Sequence, residues 1–147
     1  MKDEERIAKK VTAEYHLSTN EGNTESKKPH HAEIWMCSLP ENSGSTQNGY
    51  RPVYISSNNM NNKYSPTVNI IPITSKSKKN LPIHVTLDRK PEYGLSLPST
   101  LLVEQITTVT VSSLHQKIGR ITDEKTLKRI SNAMSIQFPD VNCLNNI

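Results

Sequence analysis

Short runs of alternating apolar and polar residues, divided by clusters of Asn, Ser, Pro and Lys, dominate the chain from residue 33 to residue 105. Glu33-Ile34-Trp35-Met36-Cys37, Pro52-Val53-Tyr54-Ile55-Ser56 and Thr67-Val68-Asn69-Ile70-Ile71-Pro72-Ile73 are rich in β-branched and aromatic residues and predict strands, as do Ile83-His84-Val85-Thr86-Leu87 and Thr100-Leu101-Leu102-Val103-Glu104-Gln105. Breakers separate them at 40–49, at Asn58-Asn59-Met60-Asn61-Asn62, at 76–82 and at 91–98. The period then changes. Ser112 or Ser113 is placed to cap a short helical turn through Leu114 to Lys117. Thr122-Asp123-Glu124 opens a longer helix with acids at its positive end, and Leu127, Ile130 and Met134 share one of its faces. Strands followed by helices, without βαβ alternation, predict a mainly β domain: a small antiparallel barrel with appended helices.

Upstream of this pattern, residues 1–31 form a charged N-terminal appendage. Ile7, Val11 and Tyr15 recur at helical spacing, but the stretch is weakly apolar and runs into a polar linker, so a loose helix or disorder is expected. Residues 139–147 read as a C-terminal tail, leaving 32–138 as the folded domain. The apolar share of 33% lies below the ~45–50% usual for globular chains, consistent with one lean core and chain outside it. No run approaches the roughly 18 apolar residues of a membrane span, and the N-terminus, with Asp3, Glu4, Glu5 and Glu14, lacks the apolar stretch of a secretory signal. Cys37 and Cys143 have neither a CxxC partner nor the spacing of a zinc site, so a cytoplasmic protein with a core thiol and a tail thiol is expected.

Charge changes the picture more than composition does. The formal net charge is only +4, yet residues 51–90 hold seven cations (Arg51, Lys63, Lys76, Lys78, Lys79, Arg89, Lys90) against one acid, Asp88, a block of +6. Its centre, Thr74-Ser75-Lys76-Ser77-Lys78-Lys79-Asn80, combines hydroxyl and ammonium donors on a loop, which suits either phosphate contacts or simple solvation. Motifs for nucleotide, hydride or zinc chemistry and the nucleophile elbow are absent. His84 is the one histidine in a predicted strand, and reads as a strand residue bonded to its surroundings.

At Gly49-Tyr50-Arg51-Pro52-Val53 and Tyr64-Ser65-Pro66-Thr67-Val68 the chain resembles the PemK/MazF family of toxin endoribonucleases. The likeness is colinear, running from Glu33-Ile34-Trp35 through Gly44-Ser45-Thr46-Gln47-Asn48-Gly49-Tyr50-Arg51-Pro52-Val53, Ile73-Thr74-Ser75, Leu81-Pro82-Ile83-His84-Val85 and Leu102-Val103-Glu104-Gln105-Ile106 to the final helix. The resemblance implies an SH3-like barrel and a homodimer. It also implies sequence-specific, metal-independent cleavage of single-stranded mRNA without a cofactor, and a cognate antitoxin, with DNA binding in its company. Arg51 and Thr74 match the family's catalytic arginine and threonine. Ser45, Gln47, Gly49, Ser75, Lys76, Lys78, Lys79 and Gln105 are the expected RNA-binding residues. A guanidinium and a hydroxyl are suited to the charge that builds on phosphoryl oxygens when a 2′-hydroxyl attacks.

Two other readings remain open at this point. CcdB-like gyrase inhibitors share the barrel, although they resemble Trp-Gly-Ile at the chain end where this sequence has Asn145-Asn146-Ile147. A decayed, non-catalytic RNA binder is the second. The chain departs from the family pattern at Thr46, Asn48 and Thr107, where RNA would be held, and at the Ala32-Glu33 opening.

Overall fold

A computed structural model of the chain describes residues 28–40, 47–76 and 79–141. Residues 1–27, Ser45, Thr46, Lys78, Cys143 and the tail beyond Val141 lie outside the described residues. Seven strands occur among those described: β1 (Glu33–Leu39), β2 (Gly49–Ile55), β3 (Thr67–Thr74), β4 (His84–Leu87), β5 (Ser99–Leu102), β6 (Thr107–Thr110) and β7 (Leu114–Arg120). Helix α1 (Asn59–Tyr64) lies between β2 and β3, and α2 (Glu124–Gln137) follows β7.

Every pairing is antiparallel. The path β4-β5-β3-β2-β1-β7 leaves β4 and β7 at opposite ends, so the barrel expected from the sequence is an unclosed sheet. β3 organises it. One edge of β3 pairs with β2, while the other meets β6 over Thr67 to Ile70 and β5 over Ile73 and Thr74.

Both faces of the central strands are covered, which is why β3 reads as a nearly continuous apolar run. Ile34, Tyr54, Ile71 and Ile73 belong to a core that α2 closes with Ile130 and Ala133, with Leu127 and Met134 packed at its margin. Their strand neighbours Trp35, Val53 and Ile70 join Cys37, Val109 and Leu114 in a second core on the opposite face. Trp35 is thus a core residue, and the first-strand pair with Ile34 is buried as its alternation implies.

Three local expectations need correction. Leu114 to Lys117 are strand, not helical turn: Leu114 is fully buried in the second core, and β7 gains a ladder with β1 that a helical turn would forgo. The Asn cluster is not a breaker but α1, whose N-cap Asn58 accepts from the Asn61 N–H at 2.9 Å. Buried Asn62 then donates to Ser57 O and accepts from Ser57 Oγ. The fifth strand stops at Leu102 and gives way to a 3-10 turn, Val103–Gln105.

Two polar knots anchor the frame. Glu33 is 5% exposed; its Oε1 accepts from the His30 N–H and the Trp35 indole, and its Oε2 lies 2.8 Å from Lys117 Nζ. Burial alone would raise its pKa, but these donors, Lys117 first, hold it below the usual carboxylate value. Asp123 caps α2, accepting from the Thr126 N–H at 3.1 Å and from the buried Tyr93 hydroxyl, with Lys90 Nζ 3.4 Å away. Desolvation opposes ionisation here too, but the donors outweigh it and keep Asp123 well below the ordinary range. The 3-10 turn Pro91–Tyr93 that supplies Tyr93 lies flush on β7: a Cβ on Gly119 would fall 2.1 Å from Tyr93 O.

Asp123→Ala is expected to cost about 1–2 kcal/mol in urea denaturation at neutral pH. Because the folded-state pKa is depressed, that contribution is complete above the unfolded value near 4 and fades as pH falls through the lower folded value, so wild type and variant should converge in acid. Gly119→Ala should lose about 2 kcal/mol or more through overpacking. Gly49→Ala, where a Cβ meets nothing within 4 Å but φ is +76°, should lose only about 1 kcal/mol.

Candidate active site

The sequence-predicted residues gather where β2 begins and β3 ends. The β2–β3 register pairs Val53 with Pro72, Tyr54 with Ile71 and Ile55 with Ile70. Pro72 has no N–H to continue the ladder, and the same register carried two residues further sets Arg51 opposite Thr74. Strand alternation gives both the face of the second core. Here that core meets the rim of the sheet. Arg51 is half-buried and Thr74 is buried, whereas Ser75 and Lys76 just beyond are exposed.

The Arg51 side chain is held by its own loop. Nε donates to Asn48 O at 2.6 Å, and Gln47 N–H donates to Gln105 Oε1 at 2.7 Å. The segment leading into β2 is therefore tied both to the guanidinium and to the 3-10 turn after β5. Gly49 adopts a left-handed backbone, so the turn requires glycine for its φ rather than for closeness to a neighbour. Thr74 Oγ1 accepts from the Lys76 N–H at 3.2 Å, which folds the start of the basic loop back on the end of β3.

A pair that the sequence left as ordinary strand residues completes the frame. His84 Nδ1 lies 2.9 Å from Lys79 O, and its Nε2 lies 2.8 Å from Glu104 Oε2 and 3.2 Å from Oε1. The hydrogen bond is directed at Oε1, while Oε2 is the nearer oxygen. The histidine thus links the far end of the basic loop to the turn that carries Gln105. Twenty residues separate the partners in sequence, and only the β4–β5 register, with His84 opposite Leu102, brings them together.

Beside Arg51 opens a cleft of about 270 Å³, lined by Tyr50, Arg51, Ile73, Ser75, Leu97 and Ser99 among others. The structure therefore brings together Gln47, Gly49, Arg51, Thr74, Ser75 and Gln105. Lys76 and Lys79 stand at the two described ends of the basic loop and are not among the residues that line the cleft. Tyr50 and Leu97 were not singled out from the sequence.

The chemistry available is anion recognition by a guanidinium, hydroxyls and backbone donors. Cys37, opposite Arg51 in the β1–β2 register, is fully buried, and burial pushes its thiol up to about 11, so it is a packing residue rather than a nucleophile. Among the described residues no three His, Cys, Asp or Glu side chains converge as a metal site. No helix among them is long and apolar enough to cross a membrane.

Residues 30–138 match the family described as PemK-like, MazF-like toxin of type II toxin-antitoxin system. Over 107 residues the chain is 38% identical to Endoribonuclease MazF of Staphylococcus saprophyticus subsp. saprophyticus, covering 72% of this chain and 88% of that one. The crystal structure of MazF (Form-I) from Deinococcus radiodurans shares the fold with a TM-score of 0.64 at 17% identity, over 76% of this chain and 96% of the other. An endoribonuclease in complex with its cognate antitoxin, from a mycobacterial species, does so with a TM-score of 0.60 at 21% identity, over 76% and 95%. With the family match spanning most of the chain and a relative of this identity covering most of both sequences, the chain belongs to the PemK-like, MazF-like toxins of type II toxin–antitoxin systems.

Proposed function

We propose that this toxin is an endoribonuclease that cuts single-stranded mRNA at a short sequence without a metal cofactor, in the cytoplasm and as a homodimer, and so arrests translation and growth. What supports the reading best is the β2–β3 register, which carried two residues beyond Val53 and Pro72 brings Arg51 level with Thr74, with Arg51 lining a cleft, in a chain of this family. The relative of 38% identity is named an endoribonuclease, which supports the activity over gyrase inhibition and over a decayed binder.

In the proposed reaction a ribose 2′-oxygen attacks the adjacent phosphorus while the P–O5′ bond breaks. The 2′-proton is lost, the leaving 5′-oxygen gains one, and the products are a 2′,3′-cyclic phosphate and a 5′-hydroxyl. Negative charge rises on the phosphoryl oxygens as the five-bonded state forms. Arg51, permanently protonated because its pKa exceeds 12, stabilises that charge and cannot serve as the base. Thr74 adds a neutral donor that is already held in place by the end of β3. Donors fixed before the reaction need no reorganisation when the charge appears.

Gln47, Gly49, Ser75, Lys76, Lys79 and Gln105, with Ser45 and Lys78 outside the described residues, hold the RNA in this reading. Their job is to grip the backbone on either side of the cut. The +6 block of residues 51–90 attracts a phosphate chain, and equally an acidic segment of the cognate antitoxin, so the two compete for one field. The mycobacterial relative solved with its cognate antitoxin supports such a partner.

Arg51→Ala is expected to lower cleavage of a long RNA in EDTA by about 10²–10³-fold, with Thr74→Val losing somewhat less, while both variants stay folded and melt within about 5 °C of wild type. The check is a time course on a denaturing gel beside thermal denaturation. Full activity in Arg51→Ala would remove the residue from the site, and RNA bound but uncut by wild type would favour the decayed binder.

A further inference from the structure

Three bonds close the far end of the basic loop. Leu81 N–H donates to Lys79 O at 2.9 Å, His84 N–H donates to Leu81 O at 2.9 Å, and the His84 ring returns to Lys79 O through Nδ1, also at 2.9 Å. The other ring nitrogen, Nε2, faces the Glu104 carboxylate. Oε2 of that carboxylate is buried with no hydrogen bond directed at it among the described residues, so its charge is matched by whatever Nε2 carries, 2.8 Å away. Both ring nitrogens of His84 therefore face oxygen acceptors. A neutral imidazole has one N–H and one lone pair and satisfies only one of them, whereas an imidazolium satisfies both. The side chain is 9% exposed, which leaves little room for water to make up the difference.

We propose that His84 is a proton-dependent positioning residue: protonated, it clamps the Lys79 end of the basic loop to the turn that carries Glu104 and Gln105, and on losing its proton it releases that end. This rests on the ribonuclease reading, in which Lys79 grips RNA. The direction follows from the acceptors. A carboxylate is a stronger acceptor than a carbonyl, so a neutral ring keeps its one N–H on Nε2 toward Glu104, and the Nδ1 lone pair then opposes Lys79 O. The bond that breaks is the one to the loop. The turn itself stays tied to the segment beside Arg51, because Gln105 Oε1 accepts from the Gln47 N–H. Protonated His84 thus fixes the basic loop relative to Arg51, and deprotonation loosens that spacing. The charged groups on the elements around the ring are Glu104 from the 3-10 turn, Lys79 from the loop, and Arg129 from α2, which bonds Thr86 O and Oγ1 at 2.9 and 2.8 Å on the same face of β4. Imidazole is the side chain that changes charge between about pH 5 and 8, so the clamp tightens as pH falls through the His84 titration and slackens as pH rises through it. A grip that is the same before and during the reaction acts on binding, and its loss appears chiefly in KM.

The test uses the full chain and a short RNA spanning a mapped cleavage site, with a 2′-deoxyribose at the cut so that it binds without being cleaved. Its Kd is measured across the His84 titration at constant ionic strength, with the His84 ring nitrogens followed by NMR in the same samples. For wild type, Kd is expected to weaken by about 2- to 10-fold as the ring loses its proton, and the proton lost is the one on Nδ1. Glu104→Gln is expected to bind tightly without that pH dependence, because a carboxamide donates to a neutral Nε2 as readily as it accepts, and the Nδ1–H then stays on Lys79 O. His84→Ala should bind weakly at every pH and supplies the slope due to other groups. A wild-type slope no steeper than that of His84→Ala, or a slope undiminished in Glu104→Gln, overturns the clamp, while cleavage of the all-ribose RNA leaves the ribonuclease standing. If wild type neither binds the deoxy-substituted RNA nor cuts the intact one, the ribonuclease reading fails. The wild-type nitrogen resonances then decide the clamp by themselves, as they do if a variant fails to fold: a neutral ring that keeps its proton on Nδ1 overturns it, and one that keeps it on Nε2 supports it.

Discussion

The pairing of β2 with β3 is the constraint on which the rest of this molecule depends. Both strands bury side chains on both faces, Val53 and Ile70 on one side and Tyr54 and Ile71 on the other. A slip of one residue would exchange two cores of different shape and is therefore strongly disfavoured. The same register sets Arg51 against Thr74. Pro72 then ends the β2–β3 ladder just short of them, while β1 still pairs with Arg51 and β5 with Thr74 along their other edges. Packing of hydrocarbon thus determines the geometry of the proposed site.

Around that site the loops are held by hydrogen bonds rather than by packing. Gln105 holds Gln47, Asn48 holds Arg51, Lys76 N–H is folded onto Thr74, and His84 bridges Lys79 to Glu104. Each bond is modest in net energy, about 1 kcal/mol. Together they limit where the backbone around the cleft can go. A rigid sheet carrying loops tied in this manner suits a reaction whose catalysis rests on fixed donors more than on proton transfer by a tuned acid. Cys37 illustrates the division: beside Arg51 in register, it faces inward and contributes only volume.

Much of the fold was legible because alternation and turn chemistry carry it. The strands expected at Glu33–Cys37 and Thr67–Ile73 and the helix opened by Thr122-Asp123-Glu124 fall on β1, β3 and α2, with Asp123 as the cap. β7 did not, because what makes Leu114–Arg120 a strand is its partner β1 and the buried seat of Leu114, and both are non-local. β6, Thr107–Thr110, was passed over although Val109 alternates inward between exposed threonines. α1 was hidden by asparagines that disfavour helix interiors yet cap and lock this single turn. The site divides in the same way. Arg51 and Thr74 were named from the ordered resemblance, since neither composition nor spacing distinguishes them from a surface cation and a strand threonine. The His84–Glu104 link and the Tyr50–His115 contact needed the sheet to be assembled first.

In the proposed reaction, fixed donors at Arg51 and Thr74 promote attack by the RNA's own 2′-oxygen. The most direct measurement is the chemistry of the new ends after purified protein has cut a defined transcript in EDTA, read by mass spectrometry and by 5′-kinase labelling. Discrete cuts leaving a 2′,3′-cyclic phosphate and a 5′-hydroxyl that accepts label directly are expected. Cuts leaving 5′-phosphates and 3′-hydroxyls, or cuts that appear only when a divalent metal is restored, would contradict it.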